Sequence, residues 1–197
     1  WALVRNARGE FEVAYRDGRR GEWTGFGDLE AIAQASWSED VVYLLIEGEE
    51  TIKEYDVSVY GTAVLRRSWN LRSYLPLSGG SGAEALTFVP DAALAAGGFV
   101  GRNGQPYTSR NGMGGLMFVG HQNGGAVFVF DLNRTTGAAD FVGEYRTGAG
   151  ETAGAEFDRS TGYLYLWHDA EYDTLEQLRL SSTPVAGQSY RRLDTVA

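Results

Sequence analysis

Cysteine is absent from the 197 residues, which excludes disulfide bridges, thiolate zinc sites and a cysteine nucleophile together. Lysine is nearly absent as well: of 17 basic residues only Lys53 is a lysine. The net charge of -9 and the pI near 4.7 disfavour a nucleic-acid partner, because phosphate backbones are held by clustered Lys and Arg. No apolar run approaches the roughly 18 residues that a membrane-spanning helix needs. The local signatures of P-loop nucleotide hydrolysis, dinucleotide binding, a serine nucleophile elbow and a zincin helix are all missing. The stretch SGGSG from Ser78 is a linker-like turn, since Ala83 stands where an elbow needs glycine.

What is present is 43% apolar, 13% aromatic and 22% charged residues with 27 glycines, the composition of a folded domain with one sizeable core. Arg, Ala and Gly in place of Lys is the bias of GC-rich coding, and a bacterial source is expected. The chain opens on WALV with no initiator Met and no charged n-region, so a processed or trimmed N-terminus is expected.

The sequence repeats itself. VYLLIEGEETIKEYDVS from Val42, MFVGHQNGGAVFVFDLN from Met117 and LYLWHDAEYDTLEQLRL from Leu164 align so that Tyr43, Phe118 and Tyr165 coincide. Tyr55 then falls with Phe130 and Asp56 with Asp131, and a weaker fourth copy, ALVRNARGEFEVAYRDG, lies at the front with Tyr15 under Phe130. Each copy is an apolar strand, a polar turn and an alternating strand, hence a β-hairpin. DLEAIAQA from Asp28, AEALTFVP from Ala83 and AGAEFDRSTG from Ala153 precede three of the hairpins, and AVLRRSWNL from Ala63, FVGEYRT from Phe141 and SYRRLDTV from Ser189 follow them. The unit is therefore four strands.

Repeated four-stranded antiparallel units without a long helix predict an all-β fold, a β-propeller. A β-sandwich is the alternative. The expected units are about 1–27, 28–82, 83–150 and 151–197, a four-bladed ring or part of a five- or six-bladed one. The long connection from Asp91 to Gly115 is expected to hold a short helix over Asp91 to Ala96, with Asp91 as N-cap and Gly97 as stop.

GDLEAIAQASWSEDVVYLLIEGEETIKEYDVS, AEALTFVPD and AGAEFDRSTGYLYLWHD resemble the blades of phytase-like propellers, including the SdiA-regulated and esterase-like phytase groups. The matching positions are Glu30 and Glu84 on first strands, the turn from Asp158 to Gly162, and Glu47 and Asp169 at second-strand ends. The resemblance covers about residues 26 to 180. It implies a calcium-dependent phosphoester hydrolase in an extracellular or periplasmic setting. The family's acidic cluster is incomplete here, because Ala153 stands at the position of Glu84 in the next unit and Gln122 at that of Glu47.

Read from the residues alone, the two histidines, His121 and His168, fall at one repeat position. Equivalent positions on neighbouring blades lie on one ring around the axis, so both are expected near one mouth of the channel, beside Glu47, Gln122 and Asp169. There they would bind a divalent metal or share a proton as catalytic groups; the alternative is that they satisfy turn backbone. Glu30 and Glu84, facing each other across a channel, would repel unless a cation such as Ca²⁺ lies between them. The run Glu47, Glu49, Glu50 and Glu54 reads as a solvated face. Arg66, Arg67, Arg72, Arg191 and Arg192 read as outer-edge charges able to bind an anion or partner. Tyr43, Phe118, Phe128, Phe130, Tyr165 and Trp167 read as inter-blade core. Asn133-Arg134-Thr135 reads as a turn. Two functions remain open at this point. One is a binding or scaffolding propeller that presents its loop face to a small molecule, glycan or protein, and the other is the metal-assisted hydrolase of phosphate esters.

Overall fold

The structure, a computed structural model, describes residues 1–76, 82–168, 174–185 and 188–196, with backbone alone beyond residue 180. Three four-stranded antiparallel sheets follow one another along the chain. Blade 1 is β5 (Leu29–Ala33), β6 (Val41–Ile46), β7 (Thr51–Val59) and β8 (Thr62–Asn70). Blade 2 is β9 (Ala83–Pro90), β10 (Gly115–His121), β11 (Val127–Leu132) and β12 (Ala139–Tyr145), and blade 3 is β13 (Gly154–Asp158), β14 (Tyr163–His168), β15 (Thr174–Val185) and β16 (Gln188–Val196). Each is a meander, first strand at one edge and fourth at the other, so every strand pairs with its sequence neighbour. The first strands pack side by side, β9 between β5 and β13.

The repeat alignment is carried into three dimensions because strand side chains alternate between faces. Tyr43 and Leu45 point from blade 1 into a core shared with Met117, Val119, Phe128 and Phe130 of blade 2. Leu116 and Phe118 leave the opposite face of blade 2 to pack with Leu164, Leu166 and Leu178 of blade 3. Blades therefore stack through dry apolar faces, and burial of these side chains is the main cohesive term. A polar clamp sits in the first of these interfaces. The carboxylate of fully buried Glu54 accepts hydrogen bonds from Arg67 (2.9 Å), from the Tyr43 hydroxyl (3.1 Å) and, across the interface, from Arg134 of blade 2 (3.0 Å).

The front of the chain departs from expectation. Residues 1–27 do not complete a blade: β1 (Leu3–Arg5) pairs only with β2 (Phe11–Val13), and β3 (Tyr15–Arg16) only with β4 (Arg19–Arg20). Strands of two or three residues are too short to join a blade edge, and the last sheet is already filled by β16. The described residues thus form an arc of three blades rather than four blades or a closed ring. The helix α1 (Asp91–Gly97) is present, but its N-cap is Pro90 and its left-handed stop is Gly98. Asp91 is turned away from capping because its carboxylate accepts from the Ser109 amide (2.7 Å) and hydroxyl (2.6 Å), tying down the long connection.

The expectation of a solvated acidic face is corrected for two of its members. Glu54 is fully buried in the clamp, and Glu50 is buried with the Ala83 amide donating to it. Arg66 and Arg67 spend their charge on Asp56 and Glu54, and Arg72 donates to the Gly48 carbonyl; Arg191 and Arg192 are placed in β16. Tyr43, Phe118, Phe128 and Phe130 are core as expected, whereas Trp167 is 41% exposed. Asn133 makes the expected turn, its side-chain oxygen accepting from the Thr135 and Thr136 amides. Ser78 to Ser81 lie outside the described residues. Among the described residues no helix is long and apolar enough to cross a membrane.

Candidate functional site

At the end of the arc where the first strands begin, carboxylates gather. A β-bulge explains how. In blade 1, Leu29 pairs with Ile46 and Ala31 with Leu45, so Glu30 is an extra residue without an opposite number. In blade 2, Ala83 pairs with His121 and Ala85 with Gly120, so Glu84 is the extra residue at the matching place. Bulges re-aim side chains, and the matched pair turns Glu30 and Glu84 toward each other, close enough for a carboxyl–carboxylate hydrogen bond. In blade 3 the first two strands keep an unbroken register, Gly154 opposite Trp167 and Asp158 opposite Tyr163, with no bulge between them.

Around this pair stand Asp28, Glu47 and Glu151. One carboxylate oxygen each from Asp28, Glu30 and Glu47 lie within 4.8 Å of one another; Asp28 is exposed, the other two half-buried. Burial, the hydrogen bond and charge of Glu30, and the charges of Glu47 and Glu151 push the Glu84 carboxyl up to about 8. Glu47 is fixed by the Gly82 amide, which donates to its Oε1 at 2.8 Å. Only glycine allows this approach, since a Cβ at residue 82 would fall 2.5 Å from the Glu47 Cγ. Gln122 closes the mouth: its backbone amide donates to the Gly82 carbonyl (2.9 Å) and its side chain reaches Glu151 Oε1 at 3.4 Å.

The histidines occupy matching strand ends of β10 and β14 but stand behind the mouth, between blades. Both are buried, His121 fully and His168 at 4% exposure. The Asn123 amide donates to His121 Nδ1 at 3.0 Å, so Nδ1 keeps its lone pair and the neutral ring carries its hydrogen on Nε2. Burial lowers the His121 pKa and favours that neutral form. Nε2 has no hydrogen-bond partner among the described residues. It is therefore an N–H donor, and no nitrogen lone pair is left there for a metal. His168 donates from Nδ1 to the Glu151 carbonyl (2.8 Å) and sets Nε2 3.2 Å from Glu176 Oε2, while the Tyr145 hydroxyl donates to Glu176 Oε1 at 2.7 Å. Thr152 joins the two positions, its amide donating to the His121 carbonyl and its hydroxyl lying 3.2 Å from His168 Nδ1.

Glu30, Glu47, Glu84 and Gln122 are thus brought to one place, while His121 and His168 serve the wall behind it. Asp169 lies outside the described residues. Asp28 and Glu151 were not anticipated from the sequence. Asp28 stands just ahead of β5, two residues before the bulged Glu30; nothing local marks Glu151, which arrives from the entry to blade 3.

No family model matches the chain, and no curated protein does. Solved structures do resemble it. The periplasmic gluconolactonase PpgL of Pseudomonas aeruginosa matches with TM-score 0.50 at 16% identity, over 85% of this chain and 39% of that one. A Bacteroides fragilis NCTC 9343 protein assigned as a 6-phosphogluconolactonase matches with TM-score 0.52 at 12% identity, over 98% of this chain and 43% of that one. The chain therefore spans about two fifths of these propeller-like neighbours, and at such identities the likeness is one of fold.

Proposed function

We propose that the protein is a propeller hydrolase whose acidic mouth holds a hard divalent cation, calcium first, and that it opens an oxygen ester, either a lactone or a phosphate ester. The observation that carries this reading is the convergence of Asp28, Glu30, Glu47 and Glu84, where burial and other carboxylates dominate the surroundings of Glu84. An all-oxygen donor set suits calcium, magnesium or manganese and not a soft metal, and His121 offers no nitrogen to alter that choice. A cation bound there would polarise a substrate carbonyl or phosphoryl oxygen and acidify a water. The chain's own groups supply the rest. Asp28, Glu30 and Glu47 present the donor oxygens; Gly82 and Gln122 hold the rim; Glu84, which in the metal-free protein holds below about pH 8 a proton shared with Glu30, would give up that proton to a bound cation.

The choice of ester chemistry is supported by the hydrolases among the structural neighbours and by the phytase-like pattern of the blades. A periplasmic or extracellular setting belongs to the same proposal, supported by the periplasmic origin of the Pseudomonas neighbour. The test is thermal unfolding with added CaCl₂, MnCl₂ or EDTA, alongside hydrolysis of glucono-δ-lactone and of p-nitrophenyl phosphate. A cation at about a hundred times its Kd should stabilise the fold by about 2.7 kcal/mol, and the Glu30→Ala, Glu84→Ala double variant should lose both the stabilisation and the turnover. Equal stabilisation of that double variant, or none for the wild type at millimolar metal, overturns the site.

A further inference from the structure

The turn between β6 and β7 contains a residue that its backbone does not favour. Glu50 sits at φ 49°, in the left-handed region, and among the described residues other than glycine only Asp17 also has a positive φ. A side chain costs stability in that region, which is why glycine is its usual occupant. The repeat supplies a control. Gly125, at the matching turn position of blade 2, has φ 62°. Glu50 is also buried, at 5% exposure, so its carboxylate loses hydration as well. Strain and desolvation are separate costs, and both fall on a side chain that the turn itself does not need.

What Glu50 touches accounts for its presence. Its Oε2 accepts from the Ala83 amide at 3.3 Å, beside the Gly82 amide that donates to Glu47 Oε1 at 2.8 Å. Two carboxylates of one blade 1 turn therefore hold two successive amides at the entry of β9. The Glu50 backbone carbonyl accepts from the Leu71 amide at 2.8 Å, which fixes the turn to the exit of blade 1. Ala83 is the residue just before the bulged Glu84. At the next junction Thr152 stands at the repeat position of Ala83, and its hydroxyl donates to the Gly125 carbonyl. There the turn contributes only a backbone group, and β13 runs against β14 without a bulge. Side-chain tie and bulge occur together at one junction. We propose that Glu50 is a positioning residue of the acidic mouth: its carboxylate, wedged against Gly82 and Ala83, sets the height at which β9 enters blade 2 and so turns Glu84 toward Glu30. This role rests on the cation site proposed above, on which Glu50 acts through β9.

The experiment is calorimetric titration of CaCl₂ into the wild type, Glu50→Gly and Glu50→Gln. Melting in EDTA and NMR hydrogen exchange of the β9 amides are its metal-free readouts. Glycine relieves the left-handed strain as it removes the tie, so Glu50→Gly should melt within about 4 °C of the wild type. It should nevertheless exchange the Ala83 amide about tenfold faster or more. Its calcium affinity should fall by about tenfold or more, as when a residue that orients a metal ligand is removed. Glu50→Gln drops the charge but keeps an acceptor, and should bind calcium within about threefold of the wild type. Glu50→Asn, also at ease in the left-handed region but too short to reach Ala83, should repeat the glycine result and serves in its place if that variant folds poorly. Wild-type calcium affinity in Glu50→Gly or Glu50→Asn overturns the positioning role, as does unchanged exchange at Ala83. Equal weakening in Glu50→Gln and Glu50→Gly also overturns it, because the charge and not the tie would then set the affinity. A wild type that binds no calcium overturns the cation site itself, so the two failures are separable.

Discussion

Glu84 shows how a residue's surroundings decide its chemistry. A carboxyl that titrates near 4.5 in the unfolded chain is raised to about 8 in the fold, by burial first and by the Glu30 hydrogen bond next. Between those two values the folded protein binds the proton more tightly than the unfolded one, so stability is greatest below about 4.5 and declines as pH rises to about 8. In metal-free solution the melting temperature should therefore fall across that interval, and Glu84→Gln should flatten the decline. Cation binding must displace the same proton, so apparent calcium affinity should rise by up to tenfold per pH unit until about pH 8 and level off above it, as read by calorimetric titration. The turn from Asp158 to Gly162 is a second case decided by single residues. Asp158 accepts from the Ser160 amide and hydroxyl and from the Thr161 hydroxyl, which hold its carboxyl down at about 2. Gly162 closes the turn at φ 74°, with its amide on the Asp158 carbonyl. Gly162→Ala should cost about 1 kcal/mol, seen as a melting temperature lower by about 2–4 °C.

At the scale of the strand and the loop, the decisive devices are the bulges and the polar ties between blades. The sequence pattern located the first strands, yet β5 and β9 turn their glutamates together only because each carries one unpaired residue at the same height. The buried Glu54 clamp is the corresponding device on the outer strands. Removing Arg134 leaves the carboxylate with Arg67 and Tyr43 as partners, and Arg134→Ala should destabilise the protein by on the order of 2 kcal/mol in urea unfolding. Arg134→Lys should recover only part of this, since one ammonium cannot reproduce the contacts that Nε and Nη2 make with the two Glu54 oxygens. The long connection after α1 is pinned in a similar way. Buried Asp131 accepts from the Tyr107 hydroxyl (3.0 Å) and the Arg110 amide (2.7 Å), so this segment is part of the blade 2 structure.

For the whole molecule, stacking of blades through apolar faces makes the interfaces, and not the individual hairpins, the units of stability. Blade 2 is covered on both sides, Met117 and Val119 packing toward blade 1 and Leu116 and Phe118 toward blade 3. The sequence by itself determined the repeat, the four-stranded unit, the inward positions of Tyr43, Phe118 and Phe130, and the pairing of Glu30 with Glu84 and of His121 with His168, because side-chain alternation and turn spacing are local and survive in the letters. It read three full units and a hairpin at the front of the chain but left open what that hairpin joins, and the short strands of residues 1–27 pair only with one another. The tertiary structure alone decided that the histidines stand behind the mouth, that Asp28 and Glu151 join it, and that Glu54 is buried. Each of those depends on which face a neighbouring blade covers and on a one-residue slip in register, and a single strand's own sequence carries neither.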